Sequence, residues 1–203
     1  MVGTDPRALQ AVAFAQARLV IAGVRPDEMT LPTPCNEFDV RTLIGHMITA
    51  MRRYACAGRG GDPLSIPMVT TGISDYGWIT AFDAAADEVR DVWSDNDLLG
   101  RDIKLPWATL PGALVVSVYS LELTVHTWDL AAAVGDLREF DPEIGEEMLA
   151  VAKQMAPAEV RGAAIGHAFE GVVDVSEDSH VYDRLAAWLG RDVPRWAGAA
   201  VPG

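Results

Sequence analysis

Basic residues are scarce in this sequence. Sixteen Lys and Arg stand against 29 Asp and Glu, a net charge of −13 over 203 residues, and a field of that sign repels phosphate backbones. Only the short group Arg52, Arg53 and Arg59 opposes it, so nucleic acid is excluded as an expected partner. Cysteine is rarer still. Cys35 and Cys56 cannot build a disulfide scaffold, and a reducing cytosol keeps both as thiols. No apolar run approaches the roughly 18–20 charge-free residues of a membrane span, which excludes a membrane partner of that kind. The opening MVGTDPRALQ has neither the basic nor the apolar region of a signal peptide, and the sequence therefore predicts a cytoplasmic protein.

What is present is a large apolar fraction. Half of the residues are hydrophobic and the mean hydropathy is +0.13, which excludes disorder and supplies one generous core. The apolar positions recur at helical spacing. A first helix is predicted from the Asp5-Pro6 start to about Gly23, with Leu9, Val12, Ala13, Gln16, Leu19 and Val20 inward. Asp39 caps a second, whose stripe is Val40, Leu43, Ile44, Met47, Met51 and Tyr54. A loop over residues 62–74 leads to a third, with Trp78, Phe82, Ala85, Val89 and Val92 on one face. A fourth runs from about Ala113 to Val134 and stops at Gly135, and a fifth starts at Asp141-Pro142. The rest reads as a Gly- and Ala-rich connector, an extended FEGVVDV and a last helix over 179–189. The expected architecture is all-α, an up-and-down four-helix bundle over residues 1–156 with a C-terminal tail, 157–203, packed on it.

The fourth helix, ALVVSVYSLELTVHTWDLAAAV, is apolar around most of its circumference and so is the most buried. Its polar residues are the informative ones. Glu122, His126 and Asp129 lie at i, i+4 and i+7, in line along one face. A helix facing water also carries such spacings. Inside a bundle, however, an unpaired carboxylate costs several kcal/mol, and a Glu and a His one turn apart can share a divalent ion. Of the four histidines, His46 on the flank of the second helix's stripe is the candidate third ligand; His167 and His180 read as ordinary surface or packing residues. Asp129 either hydrogen-bonds a ligand as an outer partner or anchors a neighbouring helix. Cys35, in a Pro-bounded loop, reads as a packed free thiol, and Arg52 and Arg53 as a solvated helix end.

Three segments carry a resemblance: TPCNEFDVRTLIGHM (33–47), ELTVHTWDLA (122–131) leading into AVG, and DRLAAWLGRDVPRW (183–196). Together, over about residues 5–196, they resemble the actinobacterial metal-binding proteins related to mycothiol-dependent maleylpyruvate isomerase, within the DinB-like bundle superfamily. The resemblance implies a metal, usually zinc, held by His46, Glu122 and His126. It also implies a mycothiol-dependent transferase or isomerase with a metal-activated thiolate nucleophile. The chain departs from the family at Phe38, where Trp is common, and is expected to lack the isomerase's additional C-terminal domain. A noncatalytic metal- or small-ligand-binding bundle and a metal hydrolase remain as alternatives. The expected partners are a small-molecule thiol and an electrophilic substrate, with homodimer pairing left open.

Overall fold

The structure is a computed structural model that describes residues 5–136, 140–159 and 170–197. Helix α1 (Pro6–Gly23) begins where Asp5 accepts a hydrogen bond from the Arg7 backbone amide with Pro6 at N1. Helix α2 (Val40–Gly58) begins at Asp39, whose Oδ1 accepts from the Thr42 amide at 2.8 Å. Helix α3 (Trp78–Trp93) and the single turn α4 (Asn96–Gly100) follow. A two-stranded antiparallel hairpin, β1 (Asp102–Lys104) and β2 (Thr109–Pro111), pairs Ile103 with Leu110 and delivers the chain to α5 (Gly112–Val134). Gly135 ends α5 with φ 68°, the left-handed conformation that a Cβ disfavours.

Helices α1, α2, α3 and α5 form the bundle as a ring in which α5 packs on α1 and α2, and α3 packs on the same two helices. Fifteen of the 23 residues of α5 are buried, including every position over 123–132, so it has no solvated face to set against an apolar one. Aromatic stacking locks the far end: Tyr54 of α2 lies between Trp93 of α3 and Tyr119 of α5, with ring centroids 4.4 and 4.7 Å away. Helix α6 (Pro142–Met155) packs on α5 and on α7 (Val181–Trp188), and α8 (Val193–Ala197) closes the described chain. His180 caps α7 by accepting from the Tyr182 amide. The predicted connector and His167 lie outside the described residues.

The inward face of α1 differs from the periodicity reading. Leu19 is 52% exposed and Gln10 is buried, while Gln16 is buried as expected. A buried amide is tolerated once it is hydrogen-bonded. Gln16 donates to the Tyr182 hydroxyl at 2.7 Å and accepts from the Asp141 amide at 2.6 Å. Those partners arrive from α7 and the start of α6, so the face is chosen by contacts more than 100 residues away in sequence.

The 62–77 loop is strapped along α2. Thr70 donates its amide to the Gly45 carbonyl (3.1 Å), and its hydroxyl meets Thr49 (2.9 Å) and Arg52 (3.1 Å). Arg53 holds the Ile66 carbonyl through Nε and Nη2, and Arg41 pairs with Asp75. Arg52 and Arg53 are therefore half-buried loop anchors; the expectation of a solvated helix end is corrected by the path of this loop. A Cβ at Gly45 would run into the Thr70 carbonyl oxygen and come within 2.9 Å of Val69 Cγ1. Gly45→Ala should lift the strap and destabilise the protein by about 1–3 kcal/mol, measured by urea denaturation; a change below a few tenths would show that the loop has another seat.

Candidate metal centre

Two helices and the strap meet at one point. His46 projects from α2 and Glu122 and His126 from α5, and one ligand atom from each lies within 4.8 Å of the other two. His46 Nε2 is 3.2 Å from Glu122 Oε1. The two imidazoles stand edge to face, centroids 5.1 Å apart, and Phe38 packs on His46 at 5.0 Å. The side chains of His46, His126 and Glu122 keep 17%, 10% and 37% of their exposure. The Glu122 side chain is thus the most exposed of the three and within reach of solvent.

Both rings are oriented from behind. His46 Nδ1 faces the Met68 carbonyl at 3.3 Å, and His126 Nδ1 faces Asp129 Oδ2 at 3.0 Å. A carbonyl and an ionised carboxylate only accept, so each Nδ1 carries the proton and donates. That leaves Nε2 as the lone-pair nitrogen of each neutral ring, the arrangement in which histidine binds a metal. It also sets the His46 lone pair against the Glu122 carboxylate, two acceptors that need a proton or a cation between them.

Asp129 is fully buried and doubly engaged. Arg191, from the turn between α7 and α8, donates Nε to Oδ1 (3.1 Å) and Nη2 to Oδ2 (2.9 Å) in a bidentate pair. Asp129 therefore touches two elements at once: it accepts from His126 and ties the C-terminal segment to α5. Burial pushes its carboxyl upward, but the Arg191 charge and the hydrogen bonds from His126 and Arg191 outweigh this and hold it below its ordinary value. Glu122 behaves alike: burial pushes its carboxyl upward, but when His46 carries the extra proton that its Nε2 needs to donate to this carboxylate, that bond and the charges of His126, His46 and Arg53 outweigh the push. Both carboxylates are ionised at neutral pH.

A second group, Cys35, His126 and Asp129, also brings its ligand atoms within 4.8 Å, but its chemistry is poorer. Burial foremost, with the Asp129 charge, pushes the Cys35 thiol up to about 11, so it stays protonated. A dication there would also have to displace the Arg191 guanidinium from Asp129. Cys35 is a half-buried free thiol packed on the core. Beside the main cluster, a cavity of about 10 Å³ touches Glu122, His126, Tyr119, Tyr54 and Gln10. A larger groove of about 660 Å³ lies away from it, between the end of α2 and the hairpin. No described helix is long and apolar enough to cross a membrane.

His46, Glu122 and His126, the residues singled out in the sequence, come together with Asp129 behind His126, and two further partners stand behind them that the sequence did not announce. Met68 contributes a backbone carbonyl, which no side-chain pattern announces. Arg191 is 62 residues from Asp129, with only its place in the closing GRD stretch as a signal.

No family model matches the chain. Two relatives from Mycobacterium tuberculosis are each 30% identical over 175 residues, covering 86% of this chain and 91% of the relative. They are uncharacterized protein MT0763 of strain CDC 1551 / Oshkosh and uncharacterized protein Rv0738 of strain ATCC 25618 / H37Rv. Among solved structures, the crystal structure of the mycothiol-dependent maleylpyruvate isomerase matches with a TM-score of 0.57 over 76% of this chain and 68% of that chain. At 15% identity this likeness shows the fold alone, an all-α bundle with added short helices.

Proposed function

From the premise that the chain belongs to the family of the mycobacterial proteins MT0763 and Rv0738, we propose that it is a divalent-metal-binding bundle protein. His46, Glu122 and His126 are the ligands, zinc is the ion their chemistry favours, and a low-molecular-weight thiol is the cosubstrate. One observation carries the reading: two imidazoles, each with Nδ1 spent on an acceptor, gather with Glu122 within 4.8 Å, and the remaining nitrogen of His46 lies 3.2 Å from its carboxylate. Two His and one Glu suit zinc and leave a position for an exchangeable ligand.

A bound dication would lower the pKa of a thiol at that position and favour its anion at neutral pH. The chain's own residues supply the rest. Met68 and Asp129 keep the rings in the right tautomer, Arg191 keeps Asp129 in place, and Phe38 limits water on the His46 side. Glu122 brings one negative charge, so a dicationic site retains a net positive charge and attracts an anion. The isomerase whose fold it shares is mycothiol-dependent, which supports mycothiol as the thiol and transfer or isomerisation as the reaction class.

Elemental analysis of freshly purified protein should find one divalent metal per chain. The cobalt-substituted protein should gain a thiolate-to-metal absorption band, with proton release, when mycothiol or a simpler thiol is added. Metal without any thiol response would leave a noncatalytic metal-binding bundle, and absence of metal would remove the reading altogether.

A further inference from the structure

Charge pairing on this protein is the rule, with few exceptions. Nine described arginines sit against a carboxylate, namely Arg7, Arg18, Arg25, Arg41, Arg59, Arg90, Arg101, Arg184 and Arg191. In a chain with 29 acidic residues that is the expected fate of a guanidinium. Three described arginines have no carboxylate partner among the described residues: Arg195 lies over the Trp196 ring, Arg52 donates to the Thr70 hydroxyl, and the third, beside the cluster, is Arg53. It is half-buried, its Nε and Nη2 both donate to the Ile66 carbonyl at 3.1 and 2.6 Å, and Nη1 has no described partner.

Its location gives that exception a use. Arg53 lies seven residues after His46 on α2, two turns further along nearly the same face and about 10 Å along the axis. Tyr119 is one turn from Glu122 on α5 and stacks on Tyr54, the neighbour of Arg53, at 4.7 Å. The charge of Arg53 is also felt at both Glu122 and Tyr119. His46, Glu122, Tyr119 and Arg53 thus follow one another down the seam between α2 and α5, and Ile66 and Met68 of the strap border the same seam. The carbonyl bond steers the guanidinium without neutralising it.

Building on the metal–thiol reading, we propose that Arg53 is the specificity-determining anion anchor of this site, selecting ligands that carry a carboxylate a few carbon atoms from the group held at His46, Glu122 and His126. A guanidinium fork recognises a carboxylate by charge-assisted hydrogen bonds, and a part-buried setting reduces the screening that weakens exposed pairs.

The test compares 3-mercaptopropionate with 2-mercaptoethanol on the cobalt-loaded protein, following the thiolate-to-cobalt band. The wild type should prefer the carboxylate thiol by about tenfold, the low end for a hydrogen bond to a charged group, and high salt should erode the preference. Arg53→Gln should abolish it and Arg53→Lys retain part of it. A preference that survives in Arg53→Gln, or none in the wild type, overturns the proposal. Should Arg53→Gln fail to fold by circular dichroism, Arg53→Lys decides, since a full preference without the fork also overturns it. Failure of the underlying reading looks different: cobalt does not load, or neither thiol produces a band. In that event calorimetry with succinate and its neutral diamide, on wild type and Arg53→Gln, applies the same criterion to Arg53 without metal.

Discussion

His126→Ala is expected to lose stoichiometric metal, with affinity falling by more than the roughly 10–100-fold that follows loss of an outer-shell partner. The reason lies in the distribution of ligands. His126 lies between His46, 5.1 Å away by ring centroid, and the Asp129–Arg191 pair that fixes its tautomer. Removing its ring leaves one nitrogen and one carboxylate, too few to hold a divalent ion against solvent. The fold should survive, because Asp129 keeps its bidentate partner and the helices keep their shared core. Elemental analysis after dialysis against a mild chelator reads the result, and circular dichroism checks the helices. Stoichiometric zinc retained by a folded His126→Ala would mean that the ligand set is wrong.

Asp129→Ala should act on stability as well as on metal. It strands the Arg191 guanidinium, whose side chain is only 11% exposed, and an unpaired buried charge costs about 3–5 kcal/mol. The double replacement Asp129→Leu with Arg191→Met removes both charges and should recover most of that loss, since well-packed apolar groups can substitute for a buried ion pair. It should not recover the metal. Without a carboxylate on Nδ1, the His126 ring is free to rotate and to change tautomer, and affinity should remain about 10–100-fold below wild type. Urea denaturation and metal competition measure the two effects separately. Equal recovery of stability and affinity in the double variant would show that Asp129 has no orienting role.

The local pattern of α5 already contained most of the centre. Glu122 and His126 are one turn apart on a helix with almost no polar surface, so their common direction follows from helical geometry alone. His46 on the flank of the α2 stripe was legible in the same way. Arg53 was not. Its sequence neighbours, Arg52 and the Gly58–Gly61 stop, describe a helix end facing water, and only the strap carrying Ile66 and Thr70 shows that this end is covered.

Sequence by itself determined the all-α class, the helix boundaries set by Asp5, Asp39, Gly135 and Asp141, and the faces of α2 and α5, because each depends on residues within one or two turns of each other. The tertiary structure decided what stands behind each of those residues. Gln16 finds Tyr182 and Asp141 while Leu19 turns outward, the Met68 carbonyl and Asp129 set the histidine tautomers, and Arg191 comes from the far end of the chain to neutralise Asp129. These partners are separated by 22 to 166 residues, apart from the one turn between His126 and Asp129. Helical periodicity fixes direction only along one helix, whereas the meeting of distant groups depends on loop paths and on the requirement that every buried polar atom find a partner.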